Sequence, residues 1–241
     1  MCGLPEMVNN QHLIDLPLLK LLKFIKRLSC RIKISFEYFC ARQIQSDINE
    51  HLRILCKYAR RCESIMECGI RTVVSTWAFL YGIRRCGKPV LIGVDLNSPP
   101  KEKLKLVADL AERTGVLYKF YQQSDLECPL ESVDCVFLDT WHVYGHLKRE
   151  LNRIHSFTNK YIIIHDTTID EWIGETVRMG WNAEEQSKET AIPVDEIKKG
   201  LWPAIEEFLQ YNLDWKLEKR FTNCNGLTIL KRISSTPNLP L

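Results

Sequence analysis

Residues 133–166 read VDCVFLDTWHVYGHLKRELNRIHSFTNKYIIIHD, and this stretch decides the fold. Val133 to Leu138 is a β-prone apolar run that stops at Asp139, and Tyr161 to Ile164 is a second that stops at His165-Asp166. Between them, Tyr144 to Ile154 has helical spacing, with Leu147, Leu151 and Ile154 on one face. Strand, helix and strand at this length form a parallel βαβ crossover, which sends both strand carboxyl ends to one sheet edge. Open α/β sheets bind ligands at that edge, so Asp139, His142, His165 and Asp166 are expected to converge there.

The same alternation runs outward on both sides. Upstream, Ser64 to Gly69, Val90 to Asp95 and Leu117 to Tyr121 read as strands, with helices over Thr72–Arg85 and Lys101–Thr114, the latter stopped by Gly115. Ser46 or Asp47 opens an earlier helix. Downstream, Thr167 to Pro193 is a long polar segment, a candidate lid. Val194 to Tyr211 is helical, with Pro203 requiring a start or kink near Trp202. Trp215–Phe221 and Leu227–Arg232 make a hairpin about Asn223-Cys224-Asn225-Gly226. The pattern predicts a Rossmann-like, doubly wound α/β domain with a mostly parallel sheet and a C-terminal antiparallel hairpin over 44–233. A helical N-terminal extension over 1–43 precedes it, and a disordered tail over 234–241 follows.

Leu13 to Leu28 is the most amphipathic segment, with Lys20, Lys23, Lys26 and Arg27 near one face. Its leucines are expected to pack on the domain or on a second copy in a homodimer, with an anionic membrane surface as the alternative. Arg31 to Phe39 reads as a linker or short strand. The net charge of +3 gives no argument for nucleic acid. None of the 10 cysteines forms a CxxC pair, no uncharged apolar run is long enough to span a bilayer, and Met1 to Gln11 is unlike a secretory signal. The expectation is reduced thiols in the cytoplasm.

Glu67-Cys68-Gly69-Ile70-Arg71 stands where a dinucleotide site puts G-x-G-x-x-G, yet only Gly69 is present and Glu67 would oppose phosphate. A ligand with ribose, adenine and an amino group but no phosphate suits this turn, and S-adenosylmethionine (SAM) is one. Asp95 is placed to accept ribose hydroxyls and Asp125 to take the adenine amino group. The alternatives are a Glu67–Arg71 pair and helix-capping roles for Asp95, Asp125 and Asp139.

On these residues the chain resembles the class I SAM-dependent methyltransferases, from about Asp47 to Arg232. F-L-D-T-W-H, a helix and I-I-I-H-D-T resemble the metal-assisted O-methyltransferases, including catechol O-methyltransferase and the sugar-modifying and cephalosporin-hydroxylase-like branch. The runs S-D-I-N-E-H-L, V-V-S-T-W-A-F and H-D-T-T-I-D-E-W are similar to methyltransferase domains that accompany glycosyltransferases in large DNA viruses. The resemblance implies that Glu67, Gly69, Arg71 and Ser75 form the first SAM motif, Asp95 the ribose acid and Ser124-Asp125 the adenine region. It implies Asp139 as a metal carboxylate, with the second metal pair falling on His165-Asp166 or on Asp166-Thr167. His142 replaces the lysine base of the catechol enzymes, and imidazole can serve as that base. The implied reaction is methyl transfer to a hydroxyl of a sugar or other vicinal diol, aided by Mg²⁺ or Mn²⁺. The other readings are an NAD-linked oxidoreductase or sugar epimerase on the same fold, and a non-catalytic ligand-binding module.

Overall fold

The computed structural model describes residues 16–83 and 87–233. Helix α1 (Leu16–Gln43) leads through a single 3₁₀ turn (Asn49–His51) into α2 (Leu52–Ala59). Then follow β1 (Ser64–Cys68), α3 (Val74–Ile83), β2 (Val90–Asp95), α4 (Lys101–Thr114), β3 (Leu117–Gln122), β4 (Val133–Leu138), α5 (Tyr144–Ile154) and β5 (Thr158–His165). The chain closes with α6 (Glu175–Arg178), α7 (Ala183–Thr190), α8 (Val194–Lys198), α9 (Trp202–Tyr211), β6 (Trp215–Phe221) and β7 (Leu227–Arg232). The seven strands form one sheet in the order β3-β2-β1-β4-β5-β7-β6. Strands β1 to β5 are parallel, and β7 runs antiparallel to both β5 and β6.

Alternation along the central strands feeds two cores. Ile65, Cys135, Phe137 and Ile163 pack toward α1 to α4, whereas Met66, Val136, Leu138 and Ile162 pack toward α5 and α9. All six residues of β4 are buried, which is why its sequence is apolar throughout. Gly115 ends α4 in the left-handed conformation (φ 84°), its N–H donating to the Ala111 and Glu112 carbonyls, as expected of a glycine stop.

Several expectations are corrected. The N-terminal helix does not stop at Leu28: α1 continues through Arg31–Phe39, so that segment is neither linker nor strand. Leu21, Leu22 and Leu28 do not pack on the domain, being 52%, 43% and 47% exposed, and among the residues described from Lys20 to Gln43 the buried ones are Cys30, Ile34 and Tyr38. Leu13 to Asp15 lie outside the described residues, as do 234–241. Neither Ser46 nor Asp47 caps a helix; Ile48 holds the cap position without a side-chain bond, and Asp47 pairs with Arg71 at 2.6 Å. The helix expected over Val194–Tyr211 is two helices, with Pro203 in the first turn of the second. The segment 167–193 is not a plain loop: it contains α6 and α7, the latter capped by the Asn182 side chain on the Glu184 and Glu185 N–H groups.

Candidate active site

The sheet order reverses between β1 and β4, and their carboxyl ends abut. Asp139 N–H donates to the Cys68 carbonyl at 2.9 Å, and Gly69 N–H donates to Val94 at 2.9 Å. Gly69 has φ +84°, and a Cβ there would lie 1.9 Å from the Asp139 carbonyl oxygen. Only glycine allows the β1 turn this close to the end of β4. Around this junction Arg71 (φ 46°), Val73 (φ 63°) and Asp166 (φ 56°) also take the left-handed region. For a β-branched residue such as Val73 that is strained backbone, which clusters at functional sites.

On the β1 side, Glu67 is fully buried. Burial pushes its carboxyl up to about 8, against a 2.5 Å hydrogen bond from Ser75 Oγ to Oε1, and Oε2 has no hydrogen-bond partner among the described residues. Asp95 Oδ2 accepts from the Ile70 and Arg71 N–H groups at 2.8 and 2.9 Å, and Oδ1 accepts from Asn97 N–H at 2.8 Å. It therefore shapes the turn and caps no helix; α4 begins from Pro100. Arg71 does not pair with Glu67, its guanidinium being held by Asp47. Ser124 Oγ accepts from Leu126 N–H at 3.2 Å within the β3 turn.

Asp125, next along that turn, lies with Oδ2 3.2 Å from His146 Nε2. Glu150, one helical turn beyond His146 on α5, accepts from Thr140 Oγ1 at 2.7 Å. Burial pushes Glu150 up to about 8. Asp125 is half-buried, yet the His146 bond and charge hold its carboxyl below the usual range. His146 is thus buried, with Asp125 as its partner.

Asp139, His142, His165 and Asp166 converge at the ends of β4 and β5. His165 Nδ1 lies 3.3 Å from Asp139 Oδ1 and 3.4 Å from Asp166 Oδ1. Its Nε2 lies 3.3 Å from the Cys224 carbonyl in the β6–β7 turn, and its ring edges against His51. His142 Nε2 is 3.3 Å from Asp139 Oδ1, while Nδ1 is 3.1 Å from Asp166 Oδ2, 3.4 Å from Asp170 Oδ2 and 3.6 Å from Glu175 Oε2. Arg178 forks onto Asp170 at 2.6 and 2.8 Å. Despite burial, the charge of His165 and the close approach of both histidines hold Asp139 well below the usual carboxylate range. Against the same desolvation, the carboxylates push His165 up to about 10 and His142 well above its ordinary value. Asp139 caps no helix, since α5 starts from Val143 without a side-chain cap.

These residues fit a divalent cation. A carbonyl can only accept, so His165 Nε2 donates to Cys224, and a cation between the carboxylates would displace the proton from Nδ1 and meet that nitrogen's lone pair. Metal-binding imidazoles are oriented this way by a second-shell carbonyl. Both His142 nitrogens and Asp166 Oδ1 are buried without an aligned hydrogen bond. Ligand atoms of Asp139, His142 and Asp166 all lie within 4.8 Å of one another.

No protein-family model matches the sequence, and no curated protein matches it. Solved structures do. A protein from Corynebacterium glutamicum aligns over 85% of this chain and 89% of its own, with TM-score 0.51 and 14% identity. The O-methyltransferase TomG from Streptomyces achromogenes, involved in tomaymycin synthesis and solved with SAM, aligns over 83% and 89%, with TM-score 0.50 and 11% identity. An O-methyltransferase family protein from Burkholderia thailandensis aligns over 78% of this chain and 56% of its own, with TM-score 0.51 and 10% identity. The chain has the class I methyltransferase fold. In that fold the β1–β4 reversal is the ligand crevice, where the strand-end residues named above stand.

Sequence reading missed Asp170, Glu175 and Arg178. Asp170 follows Asp166 by four positions in the H-D-T-T-I-D run, and Glu175 and Arg178 are spaced by one helical turn. That spacing was the available signal, hidden by reading the segment as loop.

Proposed function

We propose that this chain is a SAM-dependent O-methyltransferase that methylates a hydroxyl of a small molecule, most simply a vicinal diol of a glycan sugar, with a divalent cation. The observation that carries the reading is the junction at Gly69 and Asp139, which sets a turn without G-x-G-x-x-G directly against a histidine-carboxylate cluster. The fold supports it. No disulfide joins the eight described cysteines; a reducing, cytoplasmic setting is part of the proposal.

In this reading Glu67, Gly69, Arg71, Ser75 and Asp95 form the methionine and ribose side, and Ser124 and Asp125 the adenine side. Asp139, Asp166 and His165 hold the cation, which when bound supplies the positive charge that acidifies an acceptor hydroxyl. His142 Nε2 would take the hydroxyl proton once a bound cation offsets the carboxylates that otherwise keep the imidazole protonated. Asp170, fixed by Arg178, orients its Nδ1, as the third member of a catalytic triad orients a base. Trp172, Ile173, Met179 and Trp181, all exposed on the segment that supplies Asp170 and Glu175, offer apolar faces to a sugar or aromatic ring. Holding nucleophile and methyl in line supplies much of the acceleration.

A second reading makes His142 a metal ligand, favoured by its close approach to Asp139 and Asp166. Mn²⁺ titration and transfer of labelled methyl from SAM to a panel of monosaccharides and catechols separate the two. As a base, His142→Ala loses about 10²-fold or more in turnover and keeps Mn²⁺ affinity; as a ligand, it loses both. Asp139→Ala loses both in either case. Full transfer in EDTA would remove the cation, and transfer unaffected by Asp139→Ala would remove the site.

A further inference from the structure

The outward face of α1 carries an apolar stripe that no described residue covers. Leu21, Phe24, Ile25, Leu28, Ile32, Phe36 and Phe39 are each between 47% and 63% exposed. At 100° per residue they fall within one sector of roughly 120°. The buried residues of the same helix, Cys30, Ile34 and Tyr38, lie on the opposite side and pack into the core shared with α3 and α4. From Lys20 to Ser29 every residue is exposed, so this half of the helix stands off the domain. It is steadied by Arg27, which donates to the Thr114 carbonyl at 2.9 Å. The stripe from Leu21 to Phe39 is about 27 Å long.

Charge selects its occupant. Lys20, Arg27 and Arg31 flank the stripe on one side, and Lys26 and Lys33 on the other. The helix carries seven basic residues against one acid, Glu37, a surplus of six on a chain whose total is only +3. A second copy docked about a two-fold axis would bring these flanks together, like charge against like. An anionic surface is complementary to them. We propose that α1 lies in the plane of an anionic lipid bilayer, with its apolar stripe in the acyl boundary and its lysines and arginines at the headgroups. No described helix is long and apolar enough to cross a membrane, so the contact is interfacial. The buried side, through Cys30, Ile34 and Tyr38, keeps the domain attached. The Gln43 end leads to Asp47 and the 3₁₀ turn that touch that rim through Arg71 and Asn223.

The test is co-sedimentation of the full chain with phosphatidylcholine vesicles, with and without phosphatidylserine. Binding is expected only to the anionic vesicles, weakening with salt. Removal of Lys20 or of Lys26 is expected to lower partitioning about fivefold each, and Phe24→Asp with Ile32→Asp to abolish it. These side chains are exposed, so an unchanged melting temperature certifies the fold. Absence of binding, or equal binding to both vesicle types, overturns the proposal. So does a dimer in light scattering that Phe24→Asp with Ile32→Asp dissociates, because a second copy would then own the face.

Discussion

Gly69 has the least latitude of any residue in the candidate site. A side chain there meets both an unfavourable φ and the Asp139 backbone, which no rotamer can relieve. Gly69→Ala is expected to cost about 1–3 kcal/mol in chemical denaturation. It should also weaken SAM binding more than a distant substitution of equal stability cost, because the β4 end must move. Unchanged stability would mean that the junction is looser than described. His142 and Asp139 were legible in the sequence because each ends or follows an apolar run. The partners of His142 were not: Asp170 and Glu175 reach it only because 167–193 folds back, with Gly174 N–H on the Lys198 carbonyl and Glu175 N–H on the His142 carbonyl.

Helix α5 shows what can be read at the scale of an element. Its bounds follow from Leu147, Leu151 and Ile154, but the same periodicity is silent about its polar positions. His146 and Glu150 face inward to Asp125 and Thr140 because the β3 turn folds over them. Glu150 is held protonated by burial, at about 8 against an ordinary 4.5. The folded state therefore binds a proton that the unfolded state has released between these values, so stability falls as pH rises through that window. Glu150→Gln should remove a slope of at most about 1.4 kcal/mol per pH unit. Denaturation of parent and variant at pH 5 and pH 8 reads this directly, and parallel profiles would contradict it. Helix α1 was misread for a related reason. It has a buried face and an outward apolar face, so its second half shows no single stripe and looks irregular. Helices α6 and α7 are short and polar, and local caps rather than a core-facing repeat hold them.

At the scale of the molecule, the sheet order does the positioning. Strands β1 and β4, separated by more than sixty residues in sequence, register Cys68 against Leu138, so the turn after one and the acid after the other share a rim. Parallel strands and the closing hairpin were readable from alternation; the β7 insertion between β5 and β6, which brings Cys224 beneath His165, was fixed only by the folded hairpin. The central claim is that this rim takes an adenosyl sulfonium. Calorimetric titration of the full chain with S-adenosylhomocysteine, set beside NAD, tests it most directly. One site for S-adenosylhomocysteine, weakened at least tenfold by Asp95→Ala, with no heat from NAD, is the expected result. Binding of NAD with none of S-adenosylhomocysteine would contradict the account.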